Sequence, residues 1–248
     1  SEGRSLSDQL TFSNPRVQRL RRLLGRRSSR YEEGVFVVEG LGLLHQAIDA
    51  GWHVEGCYTA PGTTLDVDVA QMVLAPNVIE RVASTESPQP VLAVVAMRTQ
   101  QLPHDATLLL VADRLGDPGN AGTIIRSAEA AGANAVVLTP GSVDPYNPKV
   151  VRASAGSLFR VPVLEATLES LTGFRKLGTS SHRGDVYTDP VYHGRVAVVV
   201  GNEAHGLDDD AAIDQWITVP HAGPVESLNV AMAATVVIFE VARQRSTV

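Results

Sequence analysis

The sequence predicts an α/β protein of two parts, a small N-terminal α/β unit and a larger unit built on a parallel sheet with helices on both faces. Three observations lead there. Leu108–Ala112, Ala135–Leu138 and Val196–Val200 are continuous apolar runs, as strands covered on both faces must be. Helix-patterned segments alternate with these runs. Polar residues with Pro103 interrupt the apolar pattern over 98–106, which puts a boundary near residue 100. At 248 residues and 44% hydrophobic, the chain can bury two such cores.

Taken in order, Asn14-Pro15 followed by Val17, Leu20, Leu23, Leu24 and Gly25 spell a short amphipathic helix with a cap, a first-turn proline and a closing glycine. Its arginines lie mostly off the apolar stripe. Residues 35–38 read as a buried strand, 41–50 as a helix ended by Gly51, and 54–59 as a second strand. Residues 67–75 pattern as a helix, and 91–97 as a strand reached through the turn-rich stretch 84–90. Beyond the boundary, helices are expected at 120–131 before Gly132, at 148–158 after a turn at 143–146, and at 228–243, the last rich in small residues. A further strand ends at Pro220. No internal repeat or low-complexity tract occurs.

Composition narrows the function classes. Cys57 is the single cysteine and no Cys/His cluster has zinc spacing, so apolar burial alone must hold the fold. No apolar run reaches about 18 residues and no charged-then-apolar leader opens the chain, so the expected location is the cytoplasm, with no membrane partner. A net charge of -6 looks unsuited to nucleic acid, because phosphate attraction dominates such binding. The average conceals a split. Residues 1–30 hold eight arginines (Arg4, Arg16, Arg19, Arg21, Arg22, Arg26, Arg27 and Arg30) against Glu2 and Asp8, a net +6 that leaves -12 for the rest. Either a basic arm meets a polyanion or a helix presents a solvated face.

In an open α/β sheet, ligands bind beyond the carboxyl ends of the strands. Three segments lie there. The first, Asp113-Arg114-Leu115-Gly116-Asp117-Pro118-Gly119-Asn120-Ala121-Gly122, is a glycine-rich turn into a helix, with backbone NH groups suited to an anion. It is neither GxGxxG nor a P-loop, and a purely structural tight turn would read the same. Arg126, on the apolar helix that follows, either caps a surface or turns its guanidinium into a cleft. In the second, residues 200–207, Gly201 admits a ligand close to the backbone and Glu203 sets a carboxylate at the same edge, while His205 alone reads as a surface residue. The third, residues 216–231, runs from a strand through a Gly-Pro loop to a helix opening near Ser227. There Ser227 and Asn229 read locally as caps.

Together and in order, Asn120-x-Gly122-x-x-x-Arg126, Gly201-Asn202-Glu203-x-x-Gly206-Leu207, and Val219-Pro220 through Ser227-Leu228-Asn229-Val230-Ala231 resemble the three signature motifs of the SpoU (TrmH-like) branch of the SPOUT RNA 2'-O-ribose methyltransferases. Residues 149–157 also match a stretch common in relatives, and Arg30-Tyr31-x-x-Gly34-x-Phe36-x-Val38-Glu39-Gly40 is similar to their small ribosomal-protein-like substrate-binding domain. Gly42 departs from the pattern, since relatives often carry a basic residue there.

The resemblance implies a trefoil-knotted C-terminal domain, against the general rule that chains are not threaded. It divides the chain into a basic segment (1–30), an RNA substrate-binding domain (31–98) and a methyltransferase domain (107–248). It implies S-adenosylmethionine as cofactor and S-adenosylhomocysteine as product, with no metal, and cofactor contacts from Thr139, Gly141, Gly201, Ile217, Val219 and Leu228. The catalytic set it implies is Arg126, Asn120, Glu203, Ser227 and Asn229, acting on a ribose 2'-hydroxyl that attacks the methyl group in line. RNA contact is expected from Arg16, Arg19, Arg22, Arg26, Arg27 and Arg30 of the basic segment and from Arg152. Family members are homodimers that share active sites. Ribosomal RNA, 23S in particular, is preferred over transfer RNA as substrate. The rivals are a transfer-RNA methyltransferase, an inactive RNA-binding protein of the same fold, and a Rossmann oxidoreductase, which the lack of GxGxxG disfavours.

Overall fold

The computed structural model describes residues 9–246, so Glu2, Arg4 and Asp8 of the charge split lie outside the described residues. Two compact units emerge. One holds the residues up to Thr99 together with Tyr146–Arg152, and the other holds Gln100–Pro145 and the chain from Ala153 onward.

In the first unit, α1 (Pro15–Gly25) begins as its sequence dictates, with the Asn14 side chain accepting from the Arg16 NH at 2.9 Å and Pro15 in the first turn. It buries Val17, Leu20, Leu23 and Leu24, worth about 1.5–3 kcal/mol each. Gly25 does not close this helix by a left-handed turn. Arg26 takes an extended conformation (φ -131°) and α2 (Arg27–Glu33), unforeseen from periodicity, starts at once and ends at left-handed Gly34. Next come β1 (Val35–Glu39), α3 (Leu41–Asp49), β2 (Val54–Thr59), β3 (Gln71–Val73), α4 (Val78–Val82) and β4 (Val91–Ala96), with the strands in the order β1-β4-β2-β3.

The helix expected over 67–75 is absent. Leu65, Val67 and Val69 alternate with aspartates at a period of two, and Gln71–Val73 pairs in parallel with the open edge of β2, Cys57 opposite Gln71. Edge pairing supplies backbone partners that a short exposed helix would lack. Tyr146 belongs to this unit, its ring 4.7 Å from that of Phe36.

The second unit is a parallel sheet formed by β5 (Leu108–Ala112), β6 (Ala135–Leu138), β7 (Val163–Glu165), β8 (Arg175–Thr179), β9 (Asp185–Val186), β10 (Val196–Val200) and β11 (Gln215–Thr218), in the order β7-β6-β5-β10-β8-β11-β9. Every neighbouring pair is parallel. The helices α5 (Pro118–Ala130) and α7 (Val230–Ser246) pack on each other and on the central strands. The opposite face, including Leu109, Val111, Val137 and Val199, is closed by turn segments carrying Leu168, Leu171, Phe174 and Ile213.

The helix expected over 148–158 is shorter. Helix α6 (Pro148–Ala153) stops before Ala155 (φ 51°) and Gly156 (φ 92°), whose left-handed backbone cannot continue a helix, and a single 3₁₀ turn follows. No helix among the described residues is long and apolar enough to cross a membrane.

Candidate functional site

Strands β5 and β10 end side by side, Ala112 opposite Val200, and the Asp113 NH donates to the Val200 carbonyl at 2.8 Å. The chain leaves β5 toward β6 and leaves β10 toward β11, on opposite sides of the sheet. Such a switch in winding opens a crevice at the strand ends.

Helix α5 starts two residues earlier than its apolar pattern suggests, because Asp117 caps it by accepting from the Asn120 NH at 2.8 Å and Pro118 fills the first turn. Glu203, from the loop after β10, reaches this same helix start. Its Oε1 accepts from the Asp117 NH at 2.7 Å and its Oε2 from the Gly116 NH at 3.1 Å, and the Asn120 amide lies 3.5 Å away. Partial burial opposes the charge on Glu203. It is outweighed by the NH groups of Asp117, Glu203 itself and Gly116 and by the Asn120 amide, so the carboxyl titrates below its ordinary range.

Asn202 braces the same two loops. Its amide donates to the Arg114 carbonyl at 2.8 Å, while its Oδ1 accepts from the NH groups of Ala204 and His205. Gly201 must be glycine, since a Cβ there would collide with the backbone of Gly206 and Leu207. Arg114 is held at φ 50°, its NH donating to Thr139 Oγ1 at 2.9 Å, and the Thr139 hydroxyl donates to Asp113 at 2.7 Å.

The third segment joins through Asn229. Its Oδ1 caps α7, accepting from the NH groups of Ala231 (2.9 Å) and Met232 (3.3 Å), and its amide donates to Asn120 Oδ1 at 3.1 Å. Glu203, Asn120 and Asn229 thus form one chain of polar contacts across all three segments. Ser227 does not cap, because α7 begins at Val230 rather than near residue 228.

Beside this chain lies a cleft of about 600 Å³, lined by Gly201, Glu203, Val219, Ser227 and Leu228 among others. That volume suits a nucleoside-sized ligand. Thr139 is buried in its hydrogen bonds, Gly141 is exposed at φ 88°, and neither borders the cleft. Ile217 is fully buried in β11, its carbonyl accepting from the NH of Ser180, a lining residue. Arg126 is exposed on α5, outside the cleft lining, and makes no hydrogen bond or ion pair with any described residue. The sequence reading missed Thr179–Arg183, which also line the cleft. Thr179 ends β8 and the others follow it, and the Arg175-Lys176 start of that strand hides it from an apolar-run criterion. No group of three or more His, Cys, Asp or Glu side chains among the described residues is placed to hold a metal ion.

In the first unit the expected RNA-facing arginines separate into two kinds. Arg30 is a correction. It is 3% exposed and donates to the Leu23 carbonyl at 2.8 Å, so it joins α2 to α1 and has no outward face. Arg19 is held by Glu33 (2.5 Å) and Glu55 (3.1 Å), and Arg152 donates to Glu39 (3.3 Å) and Ser84 (2.9 Å). Arg16 donates to the Met72 sulfur at 3.3 Å, and Arg27 lies 5.2 Å from the Tyr31 ring centroid. Arg22 and Arg26 are exposed, with no side-chain partner among the described residues.

Comparison with known proteins places this geometry. The profile of the SpoU rRNA Methylase family matches residues 107–239, and that of the MRM3-like substrate binding domain matches residues 14–93. The chain is 32% identical to the 23S rRNA (uridine(2479)-2'-O)-methyltransferase of Streptomyces viridochromogenes, over 96% of this chain and 92% of that protein. It is 34% identical to the 23S rRNA (guanosine(2553)-2'-O)-methyltransferase RlmP of Bacillus subtilis (strain 168), over 86% and 90%. It superposes with a TM-score of 0.86 and 30% identity on the crystal structure of the SpoU methyltransferase AviRb from Streptomyces viridochromogenes in complex with AdoMet, covering 94% of this chain and 99% of that one. With this coverage of motif, sequence and fold, the chain belongs to the SpoU rRNA methylase family.

Proposed function

We propose that this protein transfers the methyl group of S-adenosylmethionine to a ribose 2'-hydroxyl of 23S ribosomal RNA in the cytoplasm. The observation that carries the reading is the Glu203–Asn120–Asn229 chain, which ties three loops at the winding switch beside the cleft. The names of the two high-coverage relatives support the substrate. In this reading the three loops belong to the trefoil knot of the family, the first unit receives RNA, and the second carries the transfer.

The cleft fits the cofactor. Glycine at 201, where no side chain can stand, leaves backbone to meet a ligand, and Val219 and Leu228 offer apolar surface to a purine. Of the lining carboxylates, Glu203 is engaged by the start of α5, Asp208 by Arg114 and Asp209 by Arg183, which leaves Glu226, without a hydrogen bond or ion pair among the described residues, to face a cationic ligand. When bound, S-adenosylmethionine supplies an electrophilic methyl group on a positively charged sulfur. A guanidinium carries donors and no acceptor, so Arg126 cannot serve as the base. It clamps the phosphate beside the target ribose and stabilises the oxygen as its proton leaves to phosphate or water. Glu203, Asn120 and Asn229 are positioning residues for these loops, and Ser227 presents a hydroxyl to the ribose.

The isolated chain leaves Arg126 away from its own cleft, which supports a homodimer in which Arg126 serves the partner's cleft. Met232, Val236 and Phe239 of α7 are 63%, 37% and 46% exposed and share one helix face, an apolar stripe suited to a second copy.

The test is transfer of labelled methyl to unmodified 23S and transfer-RNA transcripts by wild type and Arg126→Ala. Label in 23S RNA at one ribose, resistant to alkaline hydrolysis and lost in the variant, supports the proposal. Label only in transfer RNA overturns the substrate, and no transfer to any RNA overturns the activity.

A further inference from the structure

Phe12, just before α1, carries two cations on one ring. The guanidinium carbon of Arg81, from α4, lies 3.5 Å from its centroid and that of Arg21, from α1, lies 4.8 Å away. The ring itself packs on the core of the first unit. Gln18 fixes the arrangement, its amide donating to the Phe12 carbonyl at 2.6 Å while its Oε1 accepts from Arg21 at 3.1 Å.

Both arginines are exposed, and neither meets a carboxylate among the described residues. Arg19, two residues before Arg21 on the same helix, has its charge answered by Glu33 and Glu55. A guanidinium laid on an aromatic face keeps its charge and its planar edge of donors, and being already ordered it loses less entropy when an anion arrives. Two such groups on one ring can grip one phosphate or two in succession. Nothing in the sequence draws Arg81 into the basic N-terminal cluster, from which it is separated by most of the first unit.

We infer that Arg21 and Arg81, set on Phe12, form a phosphate-binding site for the backbone of the substrate RNA, distinct from the cleft. This rests on RNA being the substrate. The site suits phosphate, because both arginines turn planar edges of donors to one anion.

The test uses the full-length protein and an unmodified 23S RNA transcript, with affinity measured over a salt series. Arg21→Gln and Arg81→Gln should each weaken binding roughly five- to tenfold at about 0.1 M salt and lower the salt slope by about one, and the double variant by about two. A double Lys variant keeps both charges and should retain the slope. Arg195→Gln, which removes an exposed arginine stacked on Phe174 (4.2 Å) in the other unit, should change neither quantity. Thermal unfolding of the single Gln variants checks that they fold. If they fold and bind with wild-type affinity and slope while the wild type methylates the transcript, the site is overturned and the enzyme reading stands. If Arg195→Gln weakens binding equally, the site is also overturned. If the wild type neither binds nor methylates RNA, both readings fall.

Discussion

Glu203 shows how one carboxylate can act as a structural acceptor at a reactive site. It occupies the positive end of α5 and takes NH groups that would otherwise lack partners. Because its pKa is lowered in the folded protein, its stabilising effect is complete above the ordinary carboxylate value of 4.5 and is lost as pH falls through the folded value. The difference in thermal midpoint between wild type and Glu203→Gln should therefore be largest near neutrality and shrink below about pH 4.5. A difference that stays constant into acid would count against this role. Gly122 is constrained by space: a Cβ there would meet the Ala153 carbonyl carbon and the Ser154 nitrogen, both at 2.8 Å. Gly122→Ala should cost about 1–3 kcal/mol in denaturant unfolding, as overpacking does. Arg126→Ala should leave stability within about 0.5 kcal/mol, since the exposed side chain makes no hydrogen bond or ion pair with a described residue, while transfer is lost.

At the scale of elements, Asn229 serves α7 and the site with different atoms. Asn229→Ala should cost about 1 kcal/mol through the lost cap. Asn229→Asp keeps the capping oxygen and should recover most of that stability, but it lacks the NH₂ that reaches Asn120, so kcat should stay depressed in both. Equal activity of the Asp variant and wild type would show that the contact with Asn120 is not needed for the chemistry. Helix α1 carries a comparable double role. Deleting residues 1–30 looks, from charge alone, like a clean way to weaken RNA binding. Yet Val17, Leu20, Leu23 and Leu24 are core residues of the first unit, so the deletion should unfold that unit, seen as an early thermal transition. Point variants at exposed arginines are the informative experiment. Burial also protects Cys57 in β2, whose thiol is pushed up to about 11, so alkylation at neutral pH should await unfolding.

For the whole molecule, the proposed homodimer predicts that Phe239→Lys, which places charge in the exposed stripe of α7, shifts sedimentation toward monomer and lowers transfer in parallel. Monomeric wild type with full activity would refute the shared site. Much of the fold could be read from the chain alone: β5, β6 and β10 span the residues their apolar runs mark, and α1 starts at its cap and proline. The three segments that meet at the site were also legible, because glycine, proline and polar residues at strand ends report local backbone needs. Strand β3 was not, since three residues pair only because β2 has an open edge, and β8 was not, since its polar start leaves no apolar run. Nor could the chain show which arginines are spent internally. Arg19 meets Glu55, Arg152 meets Glu39, and Arg81 shares a ring with Arg21 only after strands and helices far apart in sequence have docked. Pattern along the chain determines which segments fold and which faces are buried, because burial and backbone conformation are local demands. The partner of each charge, and the joining of Glu203, Asn120 and Asn229 into one site, were decided by tertiary structure, because those pairings exist only between surfaces that folding brings together.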